Sequence, residues 1–181
     1  MSSPTPLPTP LRLTQSTALL LTPLSAGLSA SFSFFLVPRL LESPTPLMLQ
    51  QWLRSYAAGA KAMAPTALVT AIAWFYLGIK SPATPMLTGG GLGGKWGRGG
   101  WFLAAGALTV GIVPYTWAVM MGTNRRLKAK ADEFGAMGKE EEVSVREVDE
   151  AKALVDWWGV LNLGRTVMLV AGSVCGLVAS L

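Results

Sequence analysis

Arg165 is the single charge in the apolar run 157–181. Asn162 precedes it by three residues, and Trp158 precedes Asn162 by four. On a helix, that spacing brings all three to one face. At 1.5 Å per residue, Arg165 stands roughly 12 Å beyond Trp157. A guanidinium that deep in a bilayer costs at least ~2.5 kcal/mol, so it is expected to face a bundle interior or water. The ten acidic residues fall between Glu42 and Asp156, outside the long apolar runs. The partners of Arg165 must therefore be neutral: Asn162, Asn124, Tyr115, serines or carbonyls. A buried cation without a carboxylate is a seat for an anionic ligand. The plainer alternative has Arg165 snorkelling to the interface. Function is the stronger expectation, because ionisable groups inside membranes are expensive to keep.

Other chemical signals are weaker. Gly89, Gly91 and Gly94 match G-x-G-x-x-G, and Gly89-x4-Gly94-Lys95 begins like a phosphate loop. Position 96 is Trp, no strand precedes the glycines and an apolar run follows, so the required strand–loop–helix context fails and a plain glycine loop is expected. The sequence has no histidine, which removes His-based triads, His-ligated haem and His metal sites. Cys175 is the sole cysteine and can form no internal disulfide. Ser25, Ser29 and Ser33 recur every four residues and either line a polar pocket or bond their own backbone. Gly172-x3-Gly176 is a small-xxx-small pattern, expected to serve packing within the bundle. The acidic run Glu140–Glu142 reads as a solvated loop, and Trp157 with Trp158 as a water–lipid boundary.

Four elements must position these residues. Residues 13–38, 62–79, 99–123 and 157–181 are apolar and nearly free of charge, and about 20 such residues suffice for one crossing. Backbone amides in lipid must be satisfied internally, so the spans are helices. The expected fold is all-α: a four-transmembrane-helix bundle, up-down-up-down. It forms a single membrane domain over 13–181, with helices near 16–38, 60–80, 99–124 and 156–181. Residues 1–12, with prolines at 4, 6, 8 and 10, read as a flexible tail. The first run is too long for an ordinary cleaved signal peptide. A short helix is expected within 43–60, a kink at Pro114, and a helix start at the Ser144–Glu147 capping box. Arg39, Arg54, Lys61, Arg125, Arg126, Lys128, Lys130, Lys139, Arg146 and Lys152 flank loops 1 and 3, against Arg12, Lys80, Lys95 and Arg98 opposite. That bias predicts loops 1 and 3 in the cytoplasm. The net charge of +5 is thereby explained without nucleic acid.

Polar residues then converge. Asn124 closes the third helix on the side where Asn162 and Arg165 open the fourth, and Arg39, Gln51, Trp52 and Tyr56 come from the first loop. Helices 1 and 2 read otherwise as wall.

Two stretches carry a resemblance. One runs Pro114-Tyr115-Thr116 through Gly122-Thr123-Asn124-Arg125-Arg126-Leu127. The other runs Asp156-Trp157-Trp158-Gly159-Val160-Leu161-Asn162-Leu163-Gly164-Arg165. With Ser25-Ala26-Gly27 and Pro38, they resemble the anthrone oxygenase family, small four-helix membrane proteins of fungal aromatic polyketide pathways. Gly122 departs from the family, which often has Pro there. The resemblance implies a monooxygenase that oxidises an anthrone to an anthraquinone with O2 as co-substrate and no cofactor or metal. It implies Arg165, Asn162 and Asn124 at the substrate oxyanion and Trp158 and Trp117 stacking on the tricycle, with Tyr56 also at the substrate. The base is left among Tyr115, Tyr56, Asp156 and water acting on pre-ionised substrate. Partners would be a hydrophobic aromatic small molecule and the lipid bilayer, with self-association or pathway enzymes left open. The location implied is an endoplasmic-reticulum-derived membrane. The alternatives are a non-catalytic membrane scaffold or chaperone, and a small channel or transporter. The lack of an inverted repeat speaks against the last.

Overall fold

A computed structural model describes residues 8–81, 92–136 and 144–181. Four of its helices are long and apolar enough to cross a membrane: α1 (Thr9–Leu41), α2 (Thr45–Lys80), α3 (Gly97–Ala136) and α4 (Val145–Ser180). The chain is an all-α, multi-pass membrane protein. Only 28% to 33% of the most apolar window in each helix is buried. The remainder includes exposed Leu20, Leu24 and Phe35 on α1, Leu68, Ile72 and Ile79 on α2, and Val167, Val170 and Val174 on α4. Side chains of that kind at helical spacing suit acyl chains and are poorly suited to water.

Several helix ends differ from the sequence expectation. α1 begins at Thr9, inside the stretch read as tail. Pro10 falls in the first turn, where its missing N–H breaks no intrahelical bond. The short helix expected within 43–60 and the second span are one helix of 36 residues. Met48, Leu49 and Trp52 are buried along its first turns, and no proline or glycine interrupts 47–58, so nothing ends it. At 1.5 Å per residue α2 is about 54 Å long, against about 30 Å of hydrocarbon, so it extends beyond the bilayer. α4 starts where the capping box predicts. The Ser144 amide donates to Glu147 Oε2 at 3.0 Å, and the Glu147 amide donates to Ser144 Oγ at 3.3 Å. The glycine motif at 89–94 lies largely outside the described residues, and the acidic run 140–142 lies wholly outside. Helical bonding resumes at Leu92 but breaks at Gly97, whose φ of 58° favours glycine.

Two π-helical turns interrupt the ladders, Phe32–Leu36 in α1 and Thr116–Met120 in α3. Each lies within two residues of a proline, Pro38 or Pro114, where the regular hydrogen-bond ladder is already broken.

The helices pack as two compact units. The first comprises the described residues of Met1–Ser25, Thr66–Ile112 and Met168–Leu181. Its core holds Trp74, Leu77, Phe102 and Ala105, with the Trp74 and Phe102 rings stacked at 5.6 Å. Trp74 Nε1 donates to Thr22 Oγ1 at 2.9 Å. Gly172 and Gly176 face Thr109 and Trp74, so the small-residue pattern serves packing inside this unit. The second unit comprises the described residues of Ala26–Pro65 and Val113–Val167. It gathers the ends of α1 and α3 with the starts of α2 and α4, so successive helices alternate in direction. Its core is richer in indole: Trp52 and Trp158 sit among Val37, Met48, Met120, Leu127 and Val155.

Candidate functional site

Both π turns fall in the second unit, and so do all seven candidate site residues. Asn162, fully buried, is the hub. Its Nδ2 donates to Ser29 O at 2.7 Å and to Ser33 Oγ at 2.8 Å. Its Oδ1 accepts from Ser29 Oγ at 3.4 Å and from Arg165 Nε at 3.0 Å, and also from Arg165 Nη2. Thr166 Oγ1 donates to Ser29 Oγ at 3.0 Å, and Ser33 Oγ donates to Gly159 O at 2.8 Å. Glycine at 159 permits this approach, because a Cβ there would stand 3.1 Å from Val37. Ser29 and Ser33 therefore line the polar site, whereas Ser25 bonds its own backbone at Leu21 O. α1 is more than wall.

The guanidinium of Arg165 is held at one edge by Asn162. Its other N–H groups have no protein acceptor among the described residues, and none of the ion pairs there includes it. Its phenolic neighbours are Tyr56 and Tyr115. Tyr115 donates its hydroxyl proton to Leu161 O at 2.9 Å, seated over the bare backbone of Gly164. Asp156 is exposed, and Arg39 pairs with Glu42 at the surface.

An aromatic series completes the site. Tyr56 stacks on Trp52 at 5.2 Å, and Trp52 meets Trp158 edge-on at 5.8 Å. Trp158 Nε1 donates to Asn124 Oδ1 at 2.9 Å. Lys128, one turn beyond Asn124, holds its ammonium 4.8 Å from the Tyr56 ring centroid. Thus Arg165, Asn162, Tyr115, Trp158, Tyr56 and Asn124 belong to one packed region, yet Asn124 engages Trp158 rather than Arg165. Trp117 does not join them: it sits on the π turn of α3, 70% exposed. The indole that packs beside Trp158 is that of Trp52, fully buried on α2. The sequence signal for Trp52 was its four-residue spacing to Tyr56 on one helix face.

A four-span membrane bundle that holds an arginine with no acidic partner among the described residues, in one unit with packed indoles and phenols, is the class that geometry defines. The sequence model of the anthrone oxygenase family matches residues 52–175. The chain is 30% identical over 167 residues to an anthrone oxygenase of Paecilomyces divaricatus, covering 90% of this chain and 92% of that protein. It is 29% identical over 168 residues to an anthrone oxygenase of Aspergillus fumigatus, covering 91% of each. It is 30% identical over 154 residues to a noranthrone monooxygenase of Aspergillus flavus, covering 83% of this chain and 65% of the other. No solved structure matches. The chain belongs to the anthrone oxygenase family.

Proposed function

We propose that this protein is a monooxygenase that converts a polyketide anthrone into an anthraquinone with O2, in aromatic secondary metabolism. The observation that carries the reading at the site is Arg165, a cation inside the helix bundle whose only side-chain acceptor among the described residues is neutral. An anthrone ionises to a flat aromatic oxyanion. Arg165 would receive that oxygen with its free N–H groups, and aromatic faces such as those of Tyr56 and Trp52 suit the tricycle. Asn162 keeps the guanidinium edge fixed, so the positive charge is preorganised before substrate arrives.

The chemistry then balances without a redox group of the protein. The anthrone loses one proton and binds as its anion. One electron passes from that anion to O2, leaving a substrate radical and superoxide. Their coupling forms a C–O bond and a hydroperoxide anion, which takes a proton. Loss of water from the hydroperoxide leaves the new ketone, so one oxygen atom enters product and one leaves as water. We assign proton removal to ionisation of the substrate itself, favoured by Arg165. This choice is supported by Tyr115 donating its proton to Leu161 and by Asp156 facing outward. Loops 1 and 3 are assigned to the cytoplasmic side of an endoplasmic-reticulum-derived membrane on the lysine and arginine bias.

The deciding experiment is oxygen uptake with an anthrone by membranes containing wild type or Arg165→Met. Wild type should exceed spontaneous oxidation, and the variant should lose about 10²-fold in turnover with its fold intact. Equal rates would refute the oxyanion role.

A further inference from the structure

Two buried donors in the second unit have no acceptor. They are Trp52 Nε1, on a residue 0% exposed, and Asn124 Nδ2, on a residue 1% exposed. Buried N–H groups are nearly always paired in folded proteins, so each orphan asks for an explanation. These two are neighbours of the same indole. Trp52 meets the Trp158 ring edge-on, and Asn124 accepts the Trp158 N–H through its Oδ1. That bond also fixes the orientation of the Asn124 amide, because the oxygen is committed to Trp158 and the NH2 must face elsewhere.

We infer that Trp52 Nε1–H and Asn124 Nδ2–H2 form an oxygen subsite of their own, separate from Arg165, that receives a hydrogen-free oxygen acceptor during turnover. The identity of the occupant follows from what the site offers. Among the described residues, the unpartnered buried side-chain atoms of this unit are both donors. A water accepting from these donors would still have two hydrogens to place in a core of indole and aliphatic side chains. An oxygen with lone pairs and no hydrogen meets the donors without that penalty. The inference rests on the oxygenase reading for its two sources of such an oxygen. One is a ketone or phenolate oxygen of the aromatic substrate. The other is the superoxide formed when the substrate anion gives one electron to O2. Dioxygen dissolves readily in apolar surroundings, and its reduced form then needs the donors that the resting protein leaves unused.

The test uses the full chain in lipid nanodiscs as wild type, Trp52→Phe, Asn124→Asp and the double variant. Trp52→Phe removes a donor and keeps an aromatic ring. Asn124→Asp removes the NH2 and keeps an oxygen for Trp158. The first arm measures binding of a dihydroxyanthraquinone by its visible absorbance. The second measures superoxide escaping per O2 consumed during anthrone oxidation, as dismutase-sensitive cytochrome c reduction. Each single substitution should raise either the anthraquinone Kd or the superoxide escape by about tenfold, the scale of one lost buried hydrogen bond. The double variant should change less than the product of the singles, because both donors serve one atom. A response in the first arm identifies the occupant as substrate oxygen, and in the second as reduced dioxygen. Wild-type behaviour in both arms, from either single variant with unaltered thermal unfolding, overturns the subsite. A wild type that fails to accelerate anthrone loss would refute the oxygenase reading instead, and the binding arm would still judge the donors.

Discussion

Arg165 and Asn162 meet at a single atom: Nε and Nη2 of the guanidinium both donate to the Asn162 carboxamide oxygen. A neutral acceptor orients the arginine without cancelling its charge. A carboxylate at that position would orient it equally well and neutralise it.

Asn162→Asp tests this distinction. The aspartate would pair with Arg165. Ser33 could meet the new oxygen only by giving up its bond to Gly159 O, and the donations to Ser29 O and Ser33 Oγ are both lost, at about 1–3 kcal/mol each. The variant should accumulate in membranes yet oxidise anthrone at least about tenfold more slowly, because the substrate anion would compete with a fixed one. Oxygen uptake normalised to protein level checks it. Undiminished turnover would mean that the free charge of Arg165 is not used.

The substrate, rather than a side chain, should set the acid limb of the rate profile. If ionised anthrone is the species bound, turnover falls as pH drops below the substrate's own ionisation. Two anthrones of different phenol acidity should then give limbs displaced by that difference. In Arg165→Met the limb should move to higher pH, since the cation no longer favours the anion. A limb fixed in position for both substrates would point to a protein base.

The spans, the capping box at Ser144 and the lack of an acidic partner for Arg165 among the described residues were legible in the sequence because each rests on local pattern: apolar run length, a four-residue motif and a charge with no acid nearby. The partners of Asn124 were not legible. Its distance from Arg165 depends on how far α3 is rotated, and the π turn at Thr116–Met120 adds rotation that no 3.6-residue periodicity reports. The same π turn carries Trp117, which the fold leaves exposed. The length of α2 was misjudged for another reason. Pro46 falls in the first turn of the helix, where proline is well tolerated and marks no break.

Trp117→Leu should therefore leave anthrone turnover within about twofold of wild type, in line with an exposed surface substitution far from any buried partner. Trp52→Ala should abolish most of it, because it empties the space between Tyr56 and Trp158. The pair of activities, measured side by side in the same membranes, separates the ring that packs in the site from the one on the bundle surface. A tenfold loss in Trp117→Leu would reverse the assignment.

Gly176→Ala probes the first unit by itself. A Cβ at position 176 would overlap the Trp74 ring, which is pinned by its hydrogen bond to Thr22 and its stacking on Phe102. An indole held on two sides cannot yield cheaply, so overpacking should cost about 1–3 kcal/mol. The expected result is a lower temperature of thermal aggregation in detergent, with the kcat of the protein that remains folded unchanged, since the candidate site lies entirely within the second unit. Replacing Trp74 by Phe in the same chain shortens the obstructing ring and should recover part of the lost thermal stability. Additive destabilisation in the double variant would show that Gly176 is needed for a reason other than room for Trp74.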